Sequence, residues 1–156
     1  MQMKIPISLL ILSCVLSIGA TAQKTAALIA AQDYRFIAQS ANPMGGATKH
    51  LTAGYDLSVS KDSVVAYLPY YGRAYTAPVD PTKGGVQFTS TQFDYKVDTT
   101  KKGGWEITIK PKDNRDINQI NLSVSSAGYA SLRITSVSRQ AISYNGEVVK
   151  RKKGKG

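Results

Sequence analysis

The sequence predicts an all-β domain behind one N-terminal helix: an antiparallel meander of about eight short strands closing into a small barrel. Three observations carry this. From Lys49 onward apolar and polar residues alternate with a period of two, as in strands with one buried face. Glycine and Asp/Ser pairs punctuate the alternation at short intervals, which suits tight turns rather than crossover helices. Such a meander hides its edges by closing on itself; an open, strongly bent sheet packed on the helix is the alternative.

The chain opens MQMKIPISLLILSCVLSIGATAQK. A lysine, an apolar run from Ile5 to Ile18 and Ala20-Thr21-Ala22 form the pattern of a secretory signal peptide. Residues 1–22 are expected to leave by cleavage after Ala22, and the apolar run is short for a membrane span. Ile11-Leu12-Ser13-Cys14 also resembles a bacterial lipobox, which would make Cys14 a lipidated N-terminus. Against this, Leu12 stands where a small residue is favoured, and the apolar run continues past the cysteine. Cys14 is the sole cysteine, so the mature chain would rely on burial without a disulfide. Residues 23–148 form a single domain of ordinary size.

Residues 24–41, KTAALIAAQDYRFIAQSA, read as a helix that brings Leu28, Ala31, Phe36 and Ile37 near one face and ends at Asn42-Pro43. The expected strands follow as YDLSVS, VVAYLPY, GVQFTS, FDYKVDTT, WEITIKP, INQINLSVS, YASLRITSV and RQAISYNGEVV. Lys101-Lys102-Gly103-Gly104 is a hairpin turn, with glycine where positive φ is needed. Residues 149–156 form a basic tail, expected to be disordered because like charges and glycines bury nothing. Five of the 20 Lys and Arg residues lie in the last seven positions, so much of the net charge of +10 belongs to this tail. In an exported chain it suits an anionic membrane surface better than nucleic acid, or it is a solvated tail with no partner.

Catalytic constellations are scarce. One histidine, His50, and no mature cysteine leave no metal or nucleophile cluster. No Gly-x-Ser-x-Gly elbow or phosphate-cradling loop is present, and no cofactor is expected. Asp113 with Asp116, and Asp94 with Asp98, read as a turn and a solvated face rather than a glycosidase pair. A barrel hiding Asp94 and Glu106 is the remaining enzymatic reading.

The stretch YLPYYGRAY, residues 67–75, holds four of the nine tyrosines. In an extended chain Tyr67, Tyr71, Arg73 and Tyr75 share one face. Pro69 makes the strand an edge or a bend, and Gly72 allows a bulge. Tyr67, Tyr70, Tyr71, Arg73 and Tyr75 are therefore the candidate ligand-binding residues, for a small molecule or glycan-like ligand that aromatic rings and one fixed cation would hold. The same rings could instead pack over the barrel mouth with Arg73 among them.

This stretch, with GGWEITIKPK and SLRITSVSRQAISYNGEV, resembles Domain of Unknown Function 4251, a family of exported proteins of Bacteroidota, from about Leu28 to Val148. The resemblance implies a small lipocalin-like β-barrel with an N-terminal helix and implies no activity. The Gly-x-Trp of true lipocalins is absent from the first strand; Gly103-Gly104-Trp105 stands mid-chain instead. With the leader and a family of exported proteins, the expected location is the cell envelope, periplasmic or associated with the outer membrane. Asp62-Ser63-Val64 and Asp98-Thr99-Thr100 fit the O-glycosylation acceptor pattern of that phylum, which makes Ser63 and Thr99 candidate modification sites.

Overall fold

A computed structural model of the protein describes residues 8–76 and 84–153, with residues 8–18 described as backbone only. The side chain of Cys14, most of the loop after Thr76 and the last three residues thus lie outside the described residues. Helix α1 (Ser8–Ala31) precedes strands β1 (Tyr34–Pro43), β2 (Lys49–His50), β3 (Asp56–Val59), β4 (Val64–Leu68) and β5 (Val86–Ser90). Strands β6 (Phe93–Thr99), β7 (Trp105–Pro111), β8 (Ile117–Val124), β9 (Tyr129–Ser136) and β10 (Ile142–Lys150) complete the chain. The eight strands expected from alternation are β3 to β10.

The expected helix over 24–41 is half wrong. Helix α1 stops at Ala31, Gln32 takes a left-handed φ of 49°, and residues 34–43 form β1. The alanine-rich part is a good helix former. Beyond it Tyr34, Phe36 and Ala38 are buried in alternation with Arg35, Ile37 and Gln39, a period of two that β-favouring side chains satisfy against a sheet. The expected disordered tail also begins too early. Val149 and Lys150 finish β10 opposite Arg35 and Tyr34, and Arg151 Nε donates to Asp33 Oδ1 at 2.7 Å.

All strands join one antiparallel sheet in the order β5-β4-β3-β1-β10-β9-β8-β7-β6, with β2 beside β1. Strand β1 thus stitches the two halves together through β10 on one side and β3 on the other. The sheet curls until it is nearly closed. The last gap is a seam between β5 and β6, which follow each other in sequence but do not pair. The Asp113 carboxylate holds this corner. It accepts hydrogen bonds from the backbone N–H of Thr91 (2.8 Å) and Gln92 (3.2 Å) and from the Ser90 hydroxyl.

Side chains fill the interior. Tyr34, Phe36, Leu57, Ile109, Leu122 and Leu132 are fully buried, each contributing about 1.5–3 kcal/mol by leaving water. Two buried hydroxyls keep partners: Tyr34 with Tyr95 at 3.1 Å, and Tyr144 with the Pro69 carbonyl at 2.7 Å. Burial pushes both Tyr34 and Tyr144 well above the ordinary tyrosine range, so both stay neutral. In the β6–β7 turn Gly103 adopts φ 80°, as the Lys-Lys-Gly-Gly run predicts. Among the described residues no helix is long and apolar enough to cross a membrane.

Candidate functional site

The tyrosine-rich stretch is not one extended face. Strand β4 ends at Leu68 because Pro69 has no N–H to offer a ladder. Tyr67 stays on the outer wall, where its ring stacks on Tyr55 with centroids 5.8 Å apart and planes 13° apart. Past Pro69 the chain turns, and Tyr70 packs against the core. Its hydroxyl lies 3.0 Å from the carbonyls of both Arg73 and Gln140 and can give its single proton to only one at a time. Gly72 sits at φ 154°, and a Cβ there would come within 2.8 Å of that hydroxyl. Glycine is needed for both reasons.

The segment that receives this turn is Ser138-Arg139-Gln140. Tyr75 N–H donates to Ser138 O at 2.7 Å, and Gln140 N–H donates to Arg73 O at 3.0 Å. Ala74 bridges to Arg139. Arg139 is the hub. Its guanidinium carbon lies 4.9 Å from the centroid of the Tyr70 ring. Nη1 donates to the Gly85 carbonyl at 3.1 Å, and Nη2 lies 3.7 Å from Asp116 Oδ2. Asp116 in turn accepts from the Ser136 and Ser138 hydroxyls and the Ser138 N–H. The two motifs that carry the family resemblance, YLPYYGRAY and SRQAISYNGEV, are therefore the two halves of one tertiary contact.

Beside this contact lies a surface depression of about 550 Å³ lined by Gly45, Gly72, Arg73 and Gln140. Among the described residues the Arg73 guanidinium makes no hydrogen bond or ion pair, although its backbone N–H donates to Gln140 Oε1 at 3.3 Å. Tyr71 and Tyr75, at 36% and 65% exposure, belong to the same segment. Of the five candidate residues, Arg73 lines the depression, Tyr71 and Tyr75 flank it in sequence, Tyr70 supports it from beneath, and Tyr67 stands apart on the wall. Gln140 and Gly45 were not foreseen. Gln140 lies inside SRQAISYNGEV, but its distance from Arg73 in sequence hides the contact.

The other candidates are dispersed. His50 is exposed in β2. Asp94 pairs with Lys112 at 2.7 Å, and Asp98 pairs with Lys96 at 2.9 Å. Glu106 is exposed on the wall and accepts from Ser123 Oγ at 2.6 Å. Ser63 closes a tight turn, its N–H donating to Ser60 Oγ at 3.0 Å, and Thr99 ends β6 exposed. Among the described residues no group of three or more His, Cys, Asp or Glu could hold a metal ion.

Two carboxylates carry a pH signature. Burial opposes ionisation of Asp116, but the hydroxyls of Ser138 and Ser136, the Ser138 N–H and the Arg139 cation outweigh it and hold its pKa below the ordinary value. The Ser90 hydroxyl and the Thr91 and Gln92 amides do the same for Asp113. Depressed folded pKa values give stability that is present above the ordinary carboxylate range and lost as pH falls through it. Thermal melts from neutral pH downward should therefore drop below about pH 4. Asp116→Asn should flatten that acid limb and lower the neutral midpoint by about 3 °C; an unchanged acid limb would discard the assignment.

Fold and site together define a small, nearly closed β-barrel, filled by its own side chains, with the tyrosine-rich turn docked on residues 138–140 at its surface. The chain belongs to the DUF4251 family: the family model described as Domain of unknown function (DUF4251) matches residues 18–148. A crystal structure of a DUF4251 family protein from Bacteroides eggerthii DSM 20697 superposes with a TM-score of 0.63 at 18% identity, covering 84% of this chain and 88% of that one. That likeness establishes the fold. No curated protein matches the chain.

Proposed function

We propose that the protein is a non-enzymatic binding module of the cell envelope that holds a small acidic, glycan-like ligand beside Arg73. The observation that carries this reading is the depression of about 550 Å³ into which Arg73 and Gln140 open. A guanidinium forks onto carboxylates, an amide reads hydroxyls, and neighbouring tyrosines offer faces to a sugar ring. The carboxylates with depressed pKa, Asp113 and Asp116, are engaged in holding turns, which favours binding over catalysis. The leader-like N-terminus supports an exported, periplasmic or outer-membrane location.

The test is capture of uronate-bearing oligosaccharides, read by native mass spectrometry. Arg73→Ala with Tyr71→Ala should weaken capture at least about tenfold, the loss of one charged hydrogen-bonding partner, while the melting midpoint stays put. Capture that is equal in the variant and the native protein would refute the reading.

A second reading, a structural envelope protein whose tail touches anionic surface, is favoured by the filled core and the exposed Lys150, Lys152 and Lys153. Lys150 and Arg151 belong to the fold, so the informative deletion is residues 152–156. It should reduce flotation with anionic vesicles at low salt, where screening is weak. Unchanged flotation would dismiss the tail.

A further inference from the structure

We infer that the chain carries a second binding site, for a single-chain anionic amphiphile of the fatty-acid type, where helix α1 meets the open seam beside β6. The site is a cavity of about 270 Å³ walled by Ile29 and Ala30 of the helix and by Tyr95, Val97, Thr99 and Trp105 of β6 and β7. That size is close to the lower bound of ligand pockets, roughly 300 Å³.

The cavity follows from the topology. Phe93, Tyr95, Val97 and Thr99 share a face, and their partners across the ladder on β7 are Pro111, Ile109, Ile107 and Trp105. Ile107 and Ile109 are only 1% and 0% exposed, yet Val97 opposite Ile107 is 37% exposed. The difference is the missing neighbour: no strand pairs with the seam edge of β6. Across the cavity the helix presents small residues, Ala26 and Ala30, with Gln32 beyond its end, and these leave the space beside Val97 and Trp105 unfilled. One side of this space is polar but uncharged, because the Tyr95 hydroxyl is joined to that of Tyr34 and burial raises the pKa of both.

The charge at the other end selects the head group. Thr99 and Trp105 face each other across the ladder, and the turn joining them contains exposed Lys101 and Lys102. The turn at the end of this apolar wall therefore carries two lysines. An acyl chain laid along Val97, Ala30 and Trp105 would put its carboxylate among them. This site is separate from the Arg73 depression and does not depend on it.

Trp105 is the only tryptophan, so its emission reports the site directly. The full chain is titrated with decanoate below its micelle concentration and, in parallel, with decanol. Decanoate should shift the Trp105 emission saturably at one per chain, with decanol at least tenfold weaker. Lys101→Glu with Lys102→Glu should erase that preference for the acid. Ala30→Phe, at an exposed helix position that tolerates the ring, should abolish both titrations while the circular dichroism spectrum is unchanged. Competition by anionic phospholipid vesicles would assign the acyl chain to membrane lipid, and its absence to a free acid. A titration that does not saturate, or one that Ala30→Phe leaves intact, would overturn the site; equal affinity for acid and alcohol would overturn the head-group assignment.

Discussion

Gly146→Ala should leave the protein largely unfolded, lowering stability by about 3 kcal/mol or more, the upper range for overpacking. Gly146 lies in β10 between Ala38 of β1 and Ala130 of β9. A Cβ there would stand 1.8 Å from the Ile37 carbonyl oxygen, 2.9 Å from its carbon and 3.2 Å from Ala38 Cα. These are backbone atoms of a neighbouring strand, so no side chain can swing away to make room. The irregularity in β1 between Ala38 and Ser40 is the local kink that accompanies this close approach. Relief requires β1 and β10 to separate, and that pairing joins the two halves of the sheet. A domain with about 5–15 kcal/mol in total cannot absorb much of this. Gly84→Ala is the control, since nothing lies within 4 Å of its added carbon. Urea unfolding followed by circular dichroism gives the answer, and equal midpoints for the two variants would rule out the close approach as the cause.

Arg139→Ala should be the most damaging change in the region of the Arg73 depression, at about 2–3 kcal/mol from a lost charged hydrogen bond and a lost cation–π contact. The guanidinium touches the Tyr70 ring, the Gly85 carbonyl and the Asp116 carboxylate at once. Those partners come from both ends of the β4–β5 connection and from the β7–β8 turn, so the loss should loosen the whole turn rather than one contact. Hydrogen exchange at the Tyr75 and Gln140 amides, which bond across the turn, should accelerate well beyond exchange in β8. Arg139→Lys should rescue little, because a point charge cannot serve a ring, a carbonyl and a carboxylate in three directions. A lysine variant with native stability and native exchange would contradict this assignment.

Much of the barrel was legible in the residues. Alternation placed eight strands, because a period of two is a local property, readable before any partner strand is known. The Lys-Lys-Gly-Gly turn was legible for the same reason: the positive φ at Gly103 is a demand of four consecutive residues. The stretch DYRFIAQSA fits a helix by its pattern but forms strand β1 from Tyr34 on. Its apolar residues satisfy a helical face and a strand face alike, and only a partner strand decides between them. That partner is β10, where Tyr34 meets Lys150, and the same pairing drew Val149 and Lys150 out of the expected tail.

The candidate site divides along the same line. The cluster of tyrosines with one arginine stood out from composition, and proline and glycine marked a break in the strand. Its shape did not follow, because an extended chain was the only geometry available without a partner. Residues 138–140 supply that partner, turning Tyr70 inward, leaving Tyr67 on the wall and opening the depression beside Arg73. Thus the sequence by itself determined the strands, their turns and the chemistry of the tyrosine stretch, since each depends on near neighbours. Tertiary structure alone decided the end of the helix, the glycine contact at 146, the seam and the Arg139 hub, since each depends on which strands and turns pair, beyond the reach of near neighbours.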